Sequence, residues 1–248
     1  METGAEKVHP YDDSRSKSEQ VREMFDSIAP AYDFMNRAMT FGIDKRWRSC
    51  AVKMIAAVSP GHILDVATGT GDLAIKLARD LKPCRVTGID LSEGMIAVGR
   101  GKVAQAGLQD CVELVQGDCL SLPMDTGTFD CVTVAYGVRN FERLQAGYEE
   151  MARVLKPGGM LCVIELSTPR SPIVKPFYKL YTKWVIPVVG RVVSKDVRAY
   201  SYLPESIAAV AQGDDMLQLM RNAGLEDTRY RSLTFGTCTI YTAVKPQR

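Results

Sequence analysis

The chain has 248 residues, 46% hydrophobic and 24% charged, with 31 Lys+Arg against 29 Asp+Glu for a net charge of +2. This is a folding composition, enough for one large domain with appendages, so whole-chain disorder is excluded. The charge is too evenly balanced for a general nucleic-acid binder. No run approaches the ~18 consecutive apolar residues of a membrane-spanning helix, since the best stretch, 184–193, is interrupted by Pro187 and Arg191.

Residues 1–17 are polar and carry no apolar signal core, so they read as a frayed, flexible N-terminus of a chain that is not exported. A short helix is expected over 21–29, and a second begins at Pro30. Residues 43–58 show apolar residues at helical spacing after a basic start. These three make a helical cap over 18–58. Beyond the turn Ser59-Pro60-Gly61 the period changes. Strands are expected at 62–67, 85–90, 112–116, 129–135 and 160–166, with helices at 72–81, 92–106 and 144–155 between them, and Pro157-Gly158-Gly159 as a tight turn. That alternation predicts an α/β fold with a mostly parallel sheet flanked by helices on both faces. Residues 228–235 and 237–244 predict a closing antiparallel hairpin. Residues 168–212 interrupt the repeat as a Pro-punctuated, aromatic and basic insertion within one domain spanning 18–248. Seven cysteines, an odd number with no C-x-x-C pair, read as small core residues of a reducing compartment. With only two histidines, no metal site and no Ser-His-Asp triad is expected. His62 reads as a structural histidine.

The strongest local motif is Asp65-Val-Ala-Thr-Gly69-Thr70-Gly71-Asp72, which follows a predicted strand and opens a predicted helix. Its glycines allow a tight turn and close approach of a ligand to the backbone. Asp90 ends the next strand at the ~20-residue offset of a carboxylate that holds ribose hydroxyls. A dinucleotide and S-adenosylmethionine both fit this much. The carboxylates of Asp65 and Asp72 would repel a pyrophosphate at the helix N-terminus. They suit a cationic amino-acid tail instead, which favours the methyl donor. Asp72 also reads as a plain helix-start residue. The one Tyr-x-x-x-Lys, Tyr241 to Lys245, lies in a terminal strand and is discounted as a dehydrogenase pair.

Ligands of such sheets lie outside the carboxyl ends of the strands. Leu91 follows Asp90. Asp118 and Cys119 follow the third strand, Asp118 as acceptor for an adenine amino group or as a turn carboxylate. Ala135-Tyr136-Gly137-Val138-Arg139-Asn140 follows the fourth. There Tyr136 and Asn140 suit a substrate loop, and Arg139 suits either a developing anion or a surface salt bridge.

The stretches Val21 to Ala29, Tyr32-Asp33-x-Met35-Asn36, Phe41-Gly42-Ile43 with Trp47-Arg48, Leu64 to Asp72, and Tyr136 to Phe141 resemble, in order, the signatures of the ubiquinone/menaquinone biosynthesis C-methyltransferases. The resemblance runs over roughly residues 19–245. It implies a class I methyltransferase (Rossmann-like) three-layer sandwich with a seven-stranded sheet and an antiparallel last strand. It implies S-adenosylmethionine as cofactor, with donor contacts at Thr70, Asp90, Asp118 and Cys119. It implies C-methylation of a polyprenylated quinol, with demethylmenaquinol ahead of the benzoquinol and of other small molecules. Asp44, Ala135 and Met124 depart from the residues common in that family. For such a reaction Arg139 is expected to stabilise the phenolate, and Asp72 or Tyr32 to relay the proton; Tyr32 also reads as a core aromatic. Lys175, Lys179 and Lys183 recur every four residues beside aromatics, with Arg191, Lys195 and Arg198 beyond. That is either a face lying on an anionic membrane surface or a solvated lid. The location expected is the cytoplasm, free or at the inner face of the membrane, and a homodimer is compatible with the sequence.

Overall fold

The computed structural model describes residues 4–11, 13–82, 85–185 and 198–247. A 3-10 turn at Gly4–Lys7 buries Ala5. Lys17 Nζ donates to the Ala5 carbonyl at 2.5 Å. The N-terminal stretch expected to fray is therefore tied down from Gly4, because a buried ammonium requires acceptors. Helix α1, Lys17–Ile28, opens on a capping box in which the Ser16 hydroxyl accepts from Glu19 N and the Glu19 carboxylate accepts from Ser16 N. A 3-10 turn at Ala29–Ala31 leads into α2, Tyr32–Thr40, which stops at Phe41 in a left-handed conformation.

Helix α3, Asp44–Ala56, buries Trp47, Ala51, Val52 and Ile55. That stripe repeats at helical spacing and packs on the sheet beside Leu73 and Leu77. Only α1 and α2 form the cap; α3, expected as part of it, belongs to the helical layer.

The sheet strands are β1 His62–Val66, β2 Arg85–Asp90, β3 Val112–Gln116, β4 Phe129–Ala135, β5 Leu155–Leu166, β6 Glu226–Leu233 and β7 Cys238–Val244. Their order is β3-β2-β1-β4-β5-β7-β6, and β7 runs antiparallel to both its neighbours. Helices α4 Asp72–Asp80, α5 Glu93–Gln105 and α6 Leu144–Val154 connect the parallel strands. The period-2 alternation sorts each strand's residues between two cores. Leu64, Val132 and Val163 face α6, while Ile63, Cys131 and Cys162 face α3, α4 and α5. This is the expected three-layer sandwich. The chain winds outward from β1 to β3 and then returns to β4. The sheet therefore has its switch point between β1 and β4, where ligands of open α/β sheets bind.

Three details differ from the sequence pattern. Strand β5 begins at Leu155, and Pro157-Gly158-Gly159 is a bulge within it. Gly158 N donates to Lys245 O, and Lys245 N to Gly159 O, which ties the bulge to the strand end beside it. Residues 213–227, which the pattern leaves without an element, contain α9, Asp214–Asn222, with an acidic first turn and Met216, Leu217, Leu219 and Met220 buried. The insertion contains α7 Val174–Leu180, a wider π-helical turn Tyr181–Val185, and α8 Arg198–Ala209. Lys175 and Lys179 are exposed on α7, but the π turn breaks their four-residue recurrence before Lys183. Arg191 and Lys195 lie outside the described residues.

The six described cysteines are free. Tyr241 OH accepts from Gly213 N, and Lys245 Nζ donates to the carbonyls of Arg153 and Leu155, so this pair is spent on structure.

Candidate active site

The glycine loop leaves β1 at Val66 and turns through Ala67 at φ 51°. Gly71 caps α4 at φ 75°, a left-handed position that suits glycine. Tyr136, at the end of β4, also has a positive φ, 61°. These two strained strand ends meet across Gly137, where a Cβ would lie 2.6 Å from the Ala67 Cβ. Their close approach shapes a cleft at the switch point.

That cleft is lined by Gly69, Asp90, Leu91, Asp118, Cys119, Ala135, Tyr136 and Asn140, and by Ser18, Arg22, Phe25 and Tyr32 from the cap. Asp90 accepts from Gly69 N at 2.8 Å and from Ser92 N at 2.9 Å, one bond to each oxygen. Its carboxyl is shifted upward by burial. Asp118 accepts from Leu120 N at 2.8 Å. Burial raises the Cys119 thiol, so it lines the cleft as a neutral group. Tyr202 of α8 donates to Asn140 Oδ1 at 3.0 Å. That bond holds Asn140, expected in a substrate loop, on the wall of this cleft.

Asp65, Thr70, Gly71 and Asp72, expected here, do not line the cleft. The Asp65 carboxylate lies beneath the loop and accepts from the hydroxyls of Thr68 and Thr133, each at 2.7 Å. Thr70 donates to Asp33 at 2.5 Å. Asp72 pairs with Lys102 at 2.5 Å and lies 3.7 Å from Arg48, while Lys102 also pairs with Asp33 at 2.5 Å. Burial works to raise Asp72, but Lys102 and Arg48 outweigh it and hold the carboxyl below its ordinary value. Asp72 is paired with two cations, from α3 and α5, and lies off the cleft where a ligand's cationic tail was expected to meet it. The acidic lining comes instead from Asp90, Asp118 and Glu142, against one cation, Arg22. The surplus of negative charge inferred from the loop is present, carried by other residues.

Asp65 gives a pH signature. Its carboxyl is pushed up to about 6, mainly by burial. A folded value above the free one means the native chain holds an extra proton between about pH 4 and 6. That contribution is complete below about pH 4 and is lost as pH rises through 6. Asp65→Asn should remove it. In urea unfolding at pH 5 and pH 7.5, the wild type should lose about 1.4 kcal/mol more than the variant, roughly half of the full contribution present below pH 4. Parallel losses would reject this role for Asp65.

A second cavity, of about 340 Å³, adjoins the first. Its walls are mainly apolar and aromatic: Met39, Phe41, Ile43, Trp47, Leu166, Val174, Phe177, Tyr178 and Tyr181. The two cavities share two residues, Tyr32 and Tyr136. Burial raises both phenols, so they remain protonated. Arg139 lines the second cavity. Its Nη1 donates to Glu165 Oε1 at 2.8 Å and to the Tyr136 carbonyl. Burial acts against its charge, but Glu165 and the nearby tyrosines hold its pKa above the ordinary arginine value. It is a permanent cation, not a surface ion pair.

Three buried side-chain polar atoms lack a partner among the described residues: Tyr136 OH, Arg139 Nε and Arg48 Nε. Two belong to walls of this cavity, and the Arg48 guanidinium lies 5.5 Å from the centre of the Tyr136 ring. Orphaned buried polar groups are rare and costly. Here they converge on a space large enough for a ring.

Sequence reasoning missed Glu165 and the part played by Asp44 and Arg48. Glu165 is a charge in the apolar run Leu161 to Leu166, which was the available signal. Asp44 is the only carboxylate among the described residues lining the second cavity. It accepts from Arg48 at 2.5 Å and Thr40 at 2.9 Å.

A model of the ubiE/COQ5 methyltransferase family matches residues 13–245. The chain belongs to that family. A demethylmenaquinone methyltransferase of Bacteroides fragilis is 48% identical over 240 residues, covering 97% of this chain and 98% of the relative. A ubiquinone/menaquinone biosynthesis C-methyltransferase UbiE of Geobacter sulfurreducens is 45% identical, covering 92% and 90%. Among solved structures, the [4+2]-cyclase SpnF superposes with a TM-score of 0.69 at 19% identity, over 92% of this chain and 97% of that one. A SAM-dependent methyltransferase of Thermotoga maritima, described as a possible histamine N-methyltransferase, gives 0.63 at 18%, over 90% and 99%. These distant neighbours share the fold. Membership of the family makes the chain a methyltransferase of quinone biosynthesis, as its ordered signatures imply.

Proposed function

We propose that the chain methylates a ring carbon of a polyprenylated naphthoquinol, demethylmenaquinol to menaquinol, using S-adenosylmethionine. The observation that carries this reading is the apolar second cavity with Tyr136 OH and Arg139 Nε unpartnered on its walls. An aromatic ring with hydroxyls satisfies those atoms, and an apolar tail fits the rest of the lining. The donor fits the first cleft by the chemistry of its walls. Asp90 would take the ribose hydroxyls, and Asp118 with Cys119 and Leu91 the adenine. The backbone of Gly69 and Ala135, within the acidic lining, would take the cationic tail. When bound, S-adenosylmethionine supplies an electrophilic methyl group.

The residues of this chain prepare the acceptor. Tyr32 and Tyr136 form the wall where the two ligands meet, and holding reacting atoms at ~3–3.5 Å is worth much of the rate. A quinol hydroxyl resembles a phenol, with a pKa of ~10, and its ionisation enriches the neighbouring ring carbon. Arg139, a fixed buried cation, stabilises that anion. Asp44, rather than Asp72, would take the hydroxyl proton, a role supported by its position as the one carboxylate among the described residues lining this cavity.

The test is transfer of labelled methyl from S-adenosylmethionine to a short-tailed demethylated naphthoquinol, with the benzoquinol as a second arm. The naphthoquinol should be the better acceptor, and its failure to accept label would end this reading. Arg139→Ala should keep donor binding by calorimetry while turnover falls by at least ~10-fold, about 1.4 kcal/mol. Unchanged turnover removes Arg139 from catalysis.

A further inference from the structure

The four most exposed large apolar side chains of the described residues, with Leu180 beside them, stand around the mouth of the second cavity. Phe41 is 82% exposed, Phe235 81%, Ile173 76%, Phe177 70% and Leu180 59%. They come from three separate places in the chain: the end of α2, the insertion, and the turn between β6 and β7. The cavity brings them together. Phe41 and Phe177 line it, as do Thr234 and Thr237, which flank Phe235. The Phe41 ring lies 6.4 Å from that of Tyr181.

Two of these phenylalanines sit in the left-handed region, Phe41 at φ 50° and Phe235 at φ 56°. Such backbone is strained for a residue with a bulky side chain, where Gly or Asn would be relaxed. Two aromatic rings projected largely into water from strained turns around one opening gain little within the isolated chain. A patch of this kind marks an interaction surface.

The charges around it name the partner. From residue 166 to 182 the sequence has no Asp or Glu and three cations, Arg170, Lys175 and Lys179. All three are exposed, as are Lys45 and Arg46, which follow the cavity residues Ile43 and Asp44. Cations beside exposed aromatics match an anionic lipid surface, where Lys and Arg are drawn to the headgroups and the rings sit at the acyl boundary. No described helix is long and apolar enough to cross a membrane, so the contact would be peripheral.

We infer that Phe41, Ile173, Phe177, Leu180 and Phe235, with Lys175 and Lys179, form a rim that docks on an anionic bilayer and opens the second cavity directly onto the lipid. This deepens the quinol reading, because a polyprenyl tail would pass from the bilayer into the cavity without crossing water. The face expected from the lysine recurrence is thus replaced by a composite one. Its apolar half includes two turns far from the insertion.

The experiment is flotation of the full chain with phosphatidylcholine vesicles and with vesicles that also contain phosphatidylglycerol, without donor or quinol. The chain should partition at least ~10-fold more strongly onto the anionic vesicles, with the difference shrinking at high salt. Ile173→Ser/Leu180→Ser/Phe235→Asn, all outside the cavity lining, should lose at least ~10-fold in partitioning. Lys175→Glu/Lys179→Glu should abolish the preference for anionic lipid. Both variants should still methylate a short-tailed acceptor in detergent. Equal partitioning on the two vesicles, or unchanged partitioning of the variants, overturns the inference. So does concentration-dependent dimerisation that the same substitutions remove, since a second copy would then cover the rim. Because the flotation holds no substrate, failure here leaves the methyl-transfer assay untouched, and the converse also holds.

Discussion

Glu165→Leu is expected to lower the unfolding free energy by about 3–5 kcal/mol, the cost of leaving a buried charge without its partner. Glu165 is 1% exposed, and its two oxygens hold Arg139 through Nη1 and the backbone N–H. Denaturant unfolding reads the loss. The double variant Arg139→Met/Glu165→Leu separates two meanings of that number. With both charges gone the core is apolar, and most of the lost stability should return. Turnover should not return, because the cation facing the acceptor is gone. If the double variant stays as unstable as the single one, the pair is not what makes the site costly. If it regains turnover, Arg139 is only a structural partner of Glu165.

Asp90 is the second large lever. Asp90→Ala should weaken donor binding by about 100-fold, near 2.7 kcal/mol, as calorimetry with S-adenosylmethionine would show. A charge-assisted hydrogen bond is worth ~1.5–3 kcal/mol, and the carboxylate also holds Gly69 N and Ser92 N in place. The acceptor cavity shares no wall with Asp90, so the Michaelis constant for the quinol should change little. An unaltered donor affinity would mean that the cleft at the switch point is not where the nucleoside binds.

The sheet and its helices were legible because the hydrophobic period itself changes, from 3.6 to alternating, at Ser59-Pro60-Gly61. The same local reasoning found the glycine loop, Asp90, Asp118 and the Tyr136 to Phe141 turn, all at strand ends. It failed where direction depends on distant partners. Nothing near Asp72 says that Lys102, thirty residues on, turns its carboxylate away from the ligand. Asp65 lies in a strand whose alternation buries it, yet its motif invites a ligand role. Glu165 and Arg139 are 26 positions apart and meet only because β4 and β5 pair. The mouth of the second cavity combines residues from 41, 173–180 and 235, a grouping no window of sequence contains. The four-residue recurrence of lysines was real, but a π-helical turn cut it short.

The two-residue partition between the cavities has a kinetic consequence. On the proposed assignment, a water-soluble nucleoside and a lipid-tailed ring would occupy separate cavities that share only Tyr32 and Tyr136, and neither would have to leave for the other to exchange. The spent donor can therefore depart while the greasy product still sits in its chamber. Steady-state analysis should accordingly show random order of addition, with S-adenosylhomocysteine competing against the donor alone.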